Sequence, residues 1–193
     1  PELSLKEFLD QQVEKHASRN FMWFLDTYMT YREFQDHVKS FATALHNIGI
    51  KKGDVIAMHL PNSFQYVIGY HAAARIGAIP SGINPTYQPM EIKHQLEIIK
   101  PRLLIVLDAL YEPYIEPIID KTSIEFVVKT NVADLAHGLG FKRTLGKLIG
   151  KIPKGKVDYP GAIDLMDLFE TEPKVPEVEI EVKTDPVTYI MTG

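Results

Sequence analysis

Residues 53–80 read Gly53-Asp-Val-Ile-Ala-Met-His-Leu-Pro-Asn-Ser-Phe-Gln-Tyr-Val-Ile-Gly-Tyr-His-Ala-Ala-Ala-Arg-Ile-Gly-Ala-Ile-Pro80, and this stretch decides the fold. Val55 to Leu60 carries no charge and sits between Lys51-Lys52-Gly53-Asp54 and Pro61-Asn62-Ser63, turn chemistry on both sides of a short buried strand. Pro61, Asn62 and Ser63 end that strand and cap a helix expected from Phe64 to about Ile76. The helix has no polar face, because Tyr66, Tyr70 and Ala73 lie opposite Phe64, Ile68 and Ala72. Such a helix belongs between two layers. Gly77 then releases the chain into Ala78-Ile79-Pro80, a short strand whose proline places it at an end or an edge. Strand, helix and strand in this order form the unit from which parallel sheets are built.

The same alternation extends outward. Leu3 to Ala17 reads as a helix, with Leu5, Phe8, Leu9 and Val13 at helical spacing. Asn20 to Leu25 and Tyr28-Met29 suit a hairpin turning at Asp26-Thr27. Thr30 and Glu33 form a capping box, and Phe34, Val38, Phe41, Ala42, Leu45 and Ile48 continue as one stripe to Gly49 at the C′ position. Downstream, Asn84 to Pro89 is a stiff turn and Met90 to Lys100 a helix. Leu103 to Leu107 is a strand, Tyr111 to Asp120 a helix despite Pro113 and Pro117, and Ile124 to Val128 a further strand. Short apolar strands alternating with helices predict an α/β fold, three-layer and Rossmann-like, with a mostly parallel sheet. Residues 1–137 form its body, 138–183 a basic amphipathic stretch followed by an acidic tether, and 184–193 a final strand.

Composition narrows the function classes. The 193 residues hold 21 Lys and Arg against 25 Asp and Glu, a net charge of −4, which argues against a dedicated nucleic-acid binder. With no cysteine, disulfides, thiol nucleophiles and Cys-ligated metals are excluded. No apolar run reaches membrane-spanning length and the first residues lack a secretory pattern, so a cytoplasmic protein is expected. The opening proline and the apolar run stopping at Gly193 read as the front part of a longer chain.

Local motifs alone identify no active site. The seven histidines, at 16, 37, 46, 59, 71, 94 and 137, form no metal-ligand spacing, and Gly138-x-Gly140 fails the dinucleotide pattern. His71 reads as an interlayer histidine or a ligand contact. His59 ends a strand, where α/β folds bind ligands. Gly138 to Lys156 holds six basic residues and no acidic one. On a helix, Phe141, Leu145, Leu148, Ile149 and Ile152 share one sector, with Lys142, Arg143, Lys147 and Lys151 outside it. This stretch is read either as a surface helix packed on the body or as a contact for membrane or acyl substrate. Gly161 to Glu181 reverses the charge, with seven acidic residues and one lysine, and reads as a tether.

Four segments in order resemble the amino-terminal part of the adenylate-forming (AMP-binding) enzymes. Met29-Thr-Tyr-Arg-Glu-Phe34 is similar to the family's "LTYREL", and Gly49 to Ser63 to its "GVKKGDRVALLLPNS". Ala72-Ala-Ala-Arg-Ile-Gly-Ala78, with Ile83-Asn-Pro-Thr-Tyr87, follows "ALKAGAVVVPLNPLY", and Glu91-Ile92 follows "REL". Asp185 to Gly193 resembles the strand entering the phosphate-binding loop, with Met191, Thr192 and Gly193 at the first three positions of "YTSGTTG". Two departures stand out. Gly82 replaces the proline of "VPLNP", and Lys100-Pro-Arg102 replaces "SGA".

The resemblance implies the first part of the adenylate-forming fold and a parent enzyme that uses ATP, magnesium and coenzyme A. "PNS" at 61–63 and "NPTY" at 84–87 look more like the acyl-CoA synthetase branch, which makes a medium- or long-chain fatty acid the expected substrate. An aryl-CoA ligase and a stand-alone non-catalytic binding or assembly domain are the alternatives. Family members bind adenine, the acid and magnesium downstream, and their carboxy-terminal domain supplies a lysine. The 193 residues are therefore expected to contain no catalytic residue or metal ligand and to be inactive alone. Expected partners are the remainder of the chain and the carboxylic-acid substrate, with peripheral membrane contact and homo-oligomerisation left open and no nucleic acid.

Overall fold

The computed structural model describes residues 2–137 and 153–191. Helix α1 (Leu5–His16) starts at a capping box between Ser4 and Glu7. A hairpin follows, β1 (Asn20–Phe24) and β2 (Thr27–Thr30). The turn is Leu25-Asp26, one residue earlier than the sequence suggests, with φ of 46° and 57°. Both central residues are thus left-handed, as hairpin twist demands, although neither is glycine. Helix α2 (Tyr31–Asn47) begins at the predicted Thr30–Glu33 capping box, and Gly49 follows it at a φ of 95°.

The remaining elements are β3 (Val55–His59), α3 (Phe64–Arg75), β4 (Ile79–Gly82), α4 (Pro89–Ile99), β5 (Leu103–Leu107), the single turn α5 (Asp108–Leu110), β6 (Phe126–Thr130), β7 (Ile163–Asp164) and α6 (Leu165–Phe169). The five strands β3–β7 form one parallel sheet in the order β4-β3-β5-β6-β7. The proline-bearing strand lies at the edge, as expected. It runs over Ile79–Gly82 rather than Ala78–Pro80, because Ile79 N–H bonds the Asp54 carbonyl and Ile83 N–H the Met58 carbonyl. Likewise β6 starts later than predicted, since Glu125 and Phe126 N–H first bond the Arg102 carbonyl.

Both faces of the sheet are covered. Ile56, Met58, Leu103, Ile105 and Val128 point toward α1, α2, α3 and α6. Ala57, Leu104, Val106 and Val127 point to the other side, where α4 and Tyr111, Ile115 and Ile119 cover them. Helix α3 fills the predicted interlayer place: a Cβ on Gly69 would lie 3.1 Å from Ile105 Cδ1 and 3.9 Å from Phe41 Cε1. The α1–α3 contact is closed by Arg75, whose guanidinium bonds Asp10, which also accepts from Gln35.

Three expectations are corrected. Residues 184–191, expected as a final strand, form no regular strand. Residues 111–120 do not form one helix. Tyr111–Ile115 is a π turn, with Glu116 N–H on the Tyr111 carbonyl, and Ile119–Lys121 is a 3₁₀ turn. Pro113 and Pro117 lack the N–H groups a continuous α-helix would need. The acidic stretch 161–181 is also more than a connection, because it contains β7 and α6. Val128 and Lys129 pair with Ile163 and Asp164, and Asp164 caps α6 by accepting from Met166 N–H. Residues 138–152, and with them the predicted basic helix, lie outside the described residues.

Candidate functional site

In a parallel sheet, the crossover geometry gathers ligand-binding loops beyond the carboxyl ends of the strands. On the edge strand β4 this rim begins at Gly82. The Gly82 carbonyl accepts from Gln95 Nε2 of α4 at 2.9 Å. The following turn is built on Asn84, whose side-chain oxygen accepts from the N–H and hydroxyl of Thr86 at 3.0 and 2.9 Å. Tyr66 and Tyr70 of α3 complete the wall.

The chain returns to this place at its far end. Lys52 pairs with Asp185 at 2.7 Å and donates to the Glu179 carbonyl at 2.9 Å, fixing the approach. Lys52 holds the Asp185 carboxyl below the usual carboxylate range, mainly through that hydrogen bond. Beyond it, the segment lies along β4. Tyr189 N–H donates to the Pro80 carbonyl at 3.2 Å, Thr188 Oγ1 donates to the same carbonyl at 2.7 Å, and Ser81 Oγ donates to the Tyr189 carbonyl at 3.0 Å. Met191 packs beside Tyr87 against the second core cluster.

Together these residues enclose a cleft of about 430 Å³, lined by Tyr66, Tyr70, Gly82, Asn84, Tyr87 and Gln95 on one side and residues 188–191 on the other. Among the described residues, no charged side chain lines it. Burial, aided by Tyr70, pushes the Tyr66 hydroxyl pKa up, so it remains a neutral donor and acceptor. The cleft can hold a polar, uncharged group by hydrogen bonds and stacking, while charge neutralisation must come from elsewhere. Among the described residues, no group of His, Asp or Glu could hold a metal ion.

Gly82 also explains a departure from the family pattern. A Cβ there would stand 2.5 Å from the Tyr66 hydroxyl, so the tyrosine occupies the space a proline ring would need.

A second cleft, of about 670 Å³, opens on the same rim at β5, β6 and β7. Asn131 organises it, donating to both Asp108 carboxylate oxygens at 3.1 Å and to the Pro153 carbonyl at 2.7 Å. Burial pushes Asp108 up, partly offset by the Asn131 bond. Lys129, Lys154 and Lys156 surround it with Asp134 and Asp164. The described chain therefore resumes after residue 152 at this cleft, about three strand spacings or ~14 Å along the sheet from β4.

Of the residues singled out from sequence, the structure describes Met191, His59 and His71. Thr192, Gly193, Phe141, Lys142, Arg143, Leu145, Lys147, Ile149 and Lys151 lie outside the described residues. His71 takes the interlayer place, its ring edge-on to Phe34 at 5.2 Å. His59 lies at the β3–β5 switch of strand order but is fully buried, edge-on to Tyr114 at 6.1 Å. Among the described residues, neither of its ring nitrogens finds a hydrogen-bond partner of normal geometry. Burial pushes its pKa down to about 4, only partly offset by the Pro85 carbonyl. Ser81, Thr188, Tyr66 and Gln95 were not legible as site residues, although a proline in an apolar strand did signal an edge.

Comparisons with known proteins bear on the family and the fold. The sequence model of the AMP-binding enzymes matches residues 9–191. A long-chain-fatty-acid–CoA ligase of Escherichia coli O157:H7 is 30% identical over 191 residues, 97% of this chain and 34% of the relative. A probable 4-coumarate–CoA ligase of Dictyostelium discoideum is 37% identical over 89 residues, 44% of this chain and 16% of the relative. The crystal structure of a long-chain-fatty-acid–CoA ligase from Archaeoglobus fulgidus superposes with a TM-score of 0.77 at 24% identity, over 100% of this chain and 35% of that one. The chain spans about a third of the length of the first of these relatives.

Two outcomes follow from the geometry. Gly82→Ala should cost about 1–3 kcal/mol by overpacking. Tyr66→Phe in the same chain should recover most of it, since the ring carbons would stand 3.5 Å or more from the new Cβ. Urea unfolding of the four proteins gives the coupling, and simple additivity would contradict the contact. His59 makes stability pH-dependent. Its folded pKa lies below the unfolded value near 6.5, so the unfolded chain binds the proton first and stability falls as pH drops from about 6.5 to about 4. The loss attributable to His59 is about 3 kcal/mol at most. His59→Leu should therefore lose less stability than the wild type between pH 7 and pH 4.5; an equal loss would refute the assignment.

Proposed function

Because the chain belongs to the family of AMP-binding enzymes, we propose that it is the amino-terminal part of an ATP-dependent ligase joining a medium- or long-chain fatty acid to coenzyme A. In this reading the acid's carboxylate attacks the α-phosphorus of ATP, releasing pyrophosphate and forming acyl-AMP. The thiol of coenzyme A then displaces AMP to give the thioester. The observation that carries the reading is the seating of residues 188–191 on the edge of β4, which directs the chain into the rim where the Met191-Thr192-Gly193 sequence begins. A loop of Gly, Thr and Ser wraps phosphates with backbone N–H groups and hydroxyls, unobstructed by larger side chains.

The described residues contribute the wall and the support of that loop. When bound, magnesium would neutralise the departing pyrophosphate. The described residues do not fit the ion, and no step is assigned to them through it. Similarity to long-chain-fatty-acid–CoA ligases across 97% of the chain supports a fatty acid. The shorter match to a 4-coumarate–CoA ligase supports the aryl alternative.

We further propose that the 193 residues alone are inactive, since electrostatic catalysis of this kind needs a complete preorganised donor set. Acid-dependent exchange of labelled pyrophosphate into ATP is the test. A protein whose reading frame continues past Gly193 should exchange with a fatty acid and the 193-residue chain should not. Exchange by the short chain would refute its inactivity, and a long chain that exchanges only with aryl acids would refute the fatty-acid reading.

The basic residues Lys142, Arg143, Lys147 and Lys151 are proposed to draw the intact enzyme to an anionic membrane or micelle carrying the acyl substrate. Phe141, Leu145 and Ile149 would supply apolar contact. Each cation adds about 1 kcal/mol near such a surface, fading within a Debye length. Replacing the four cations with glutamine should reduce co-sedimentation with anionic vesicles at low salt and leave high-salt binding unchanged. Equal low-salt binding would remove the proposal. Among the described residues, no helix is long and apolar enough to cross a membrane.

A further inference from the structure

We propose that Ser81 and Thr188 are positioning residues for the phosphate-binding loop, the Ser81 hydroxyl standing in for the N–H that Pro80 lacks and the Thr188 hydroxyl adding a second bond to the Pro80 carbonyl. The inference rests on the functional reading above and adds a role for two side chains outside the loop itself.

Residues of β4 alternate in the direction of their backbone groups. Ile79 and Ile83 donate toward β3, so Pro80 and Gly82 face the open edge. A segment docking on that edge meets a residue able to accept but not to donate, because proline has no N–H. The Gly82 carbonyl is already engaged by Gln95. A regular ladder therefore cannot simply be continued, and residues 186–191 form no assigned strand. Two hydroxyls hold the segment instead, one supplying the missing donor and the other reinforcing the Pro80 carbonyl bond. Thr188 Oγ1 places a second donor on the Pro80 carbonyl at 2.7 Å, beside Tyr189 N–H at 3.2 Å. Ser81 Oγ reaches the Tyr189 carbonyl at 3.0 Å.

Ser81 is fully buried. A buried hydroxyl bond typically contributes about 1 kcal/mol, and an acceptor left unpaired costs more. The three bonds fall within three residues of Met191, where the phosphate loop begins, so a slip at Tyr189 is carried directly into the loop. The ion pair that precedes them, Lys52–Asp185, is partly exposed and fixes the approach rather than the register. Displacing a catalytic group by about 1 Å can cost about 100-fold in rate.

The test uses Ser81→Ala, Thr188→Val and the hydroxyl-retaining Thr188→Ser. In the protein whose reading frame continues past Gly193, the first two should raise KM for ATP about tenfold in pyrophosphate exchange. KM for the fatty acid should stay near wild type, the melting temperature should fall by no more than a few degrees, and Thr188→Ser should restore ATP affinity. An unchanged KM for ATP in both variants overturns the proposal, as does a loss that falls equally on KM for the acid. In the 193-residue chain, amide hydrogen exchange at Tyr189 should quicken about tenfold in Ser81→Ala and Thr188→Val. Unchanged exchange there also overturns it. If the wild-type long protein shows no pyrophosphate exchange, the ligase reading fails and with it the loop assignment.

Discussion

A parallel sheet has to bury both of its faces, and in this chain that requirement organises everything else. Successive residues of β3 alternate between two cores: Ile56 and Met58 belong to one, Val55 and Ala57 to the other. At about 25 cal/mol per Å² of apolar surface removed from water, leaving either face open would forfeit much of the driving force for folding. Parallel strands also need crossovers, so the covering helices and the connections are one and the same. The uncharged runs at 55–60 and 103–107 thus dictate the helices between them as well as the strands.

From that constraint the position of the site follows. Each strand starts at one rim and delivers its chain to the other. The amino rim is tied by Arg102, whose guanidinium bonds Asp54 at 2.7 Å, Glu125 at 2.6 Å and the Gly49 carbonyl at 3.1 Å. This network accounts for Arg102 where the family pattern has a small residue, although its partly exposed pairs contribute modestly. The carboxyl rim is left for chemistry. It carries the neutral cleft beside β4 and the charged cleft at β5 to β7, each built on a residue that directly ends or follows a strand, Gly82, Asp108 and Asn131.

Legibility in the sequence followed the range of the interaction. The capping box at Thr30 and Glu33, the stripe from Phe34 to Leu45 and the edge position of Pro80 depend on neighbours a few residues away, and all were readable. The turn at Leu25-Asp26 was misplaced by one residue because neither of its left-handed residues is glycine, the usual marker. The prolines at 113 and 117 were outweighed by apolar spacing, whereas the missing N–H groups break the helix. The strand at Ile163–Asp164 was hidden because its pairing with β6 crosses more than thirty residues of sequence. The site was least legible. Ser81 and Tyr189 meet across 108 positions, and only the folded edge shows why a serine follows that proline. The resemblance supplied the phosphate loop; it could not supply the residues that seat it.

The central claim is that residues 188–191 are held on the outer edge of β4, and solution NMR of the 193-residue chain addresses it most directly. Cross-edge nuclear Overhauser contacts should connect Thr188 and Tyr189 with Pro80 and Ser81, and the Tyr66 ring with the Gly82 α-protons. Random-coil shifts over 186–191 together with absent contacts to β4 would contradict the account.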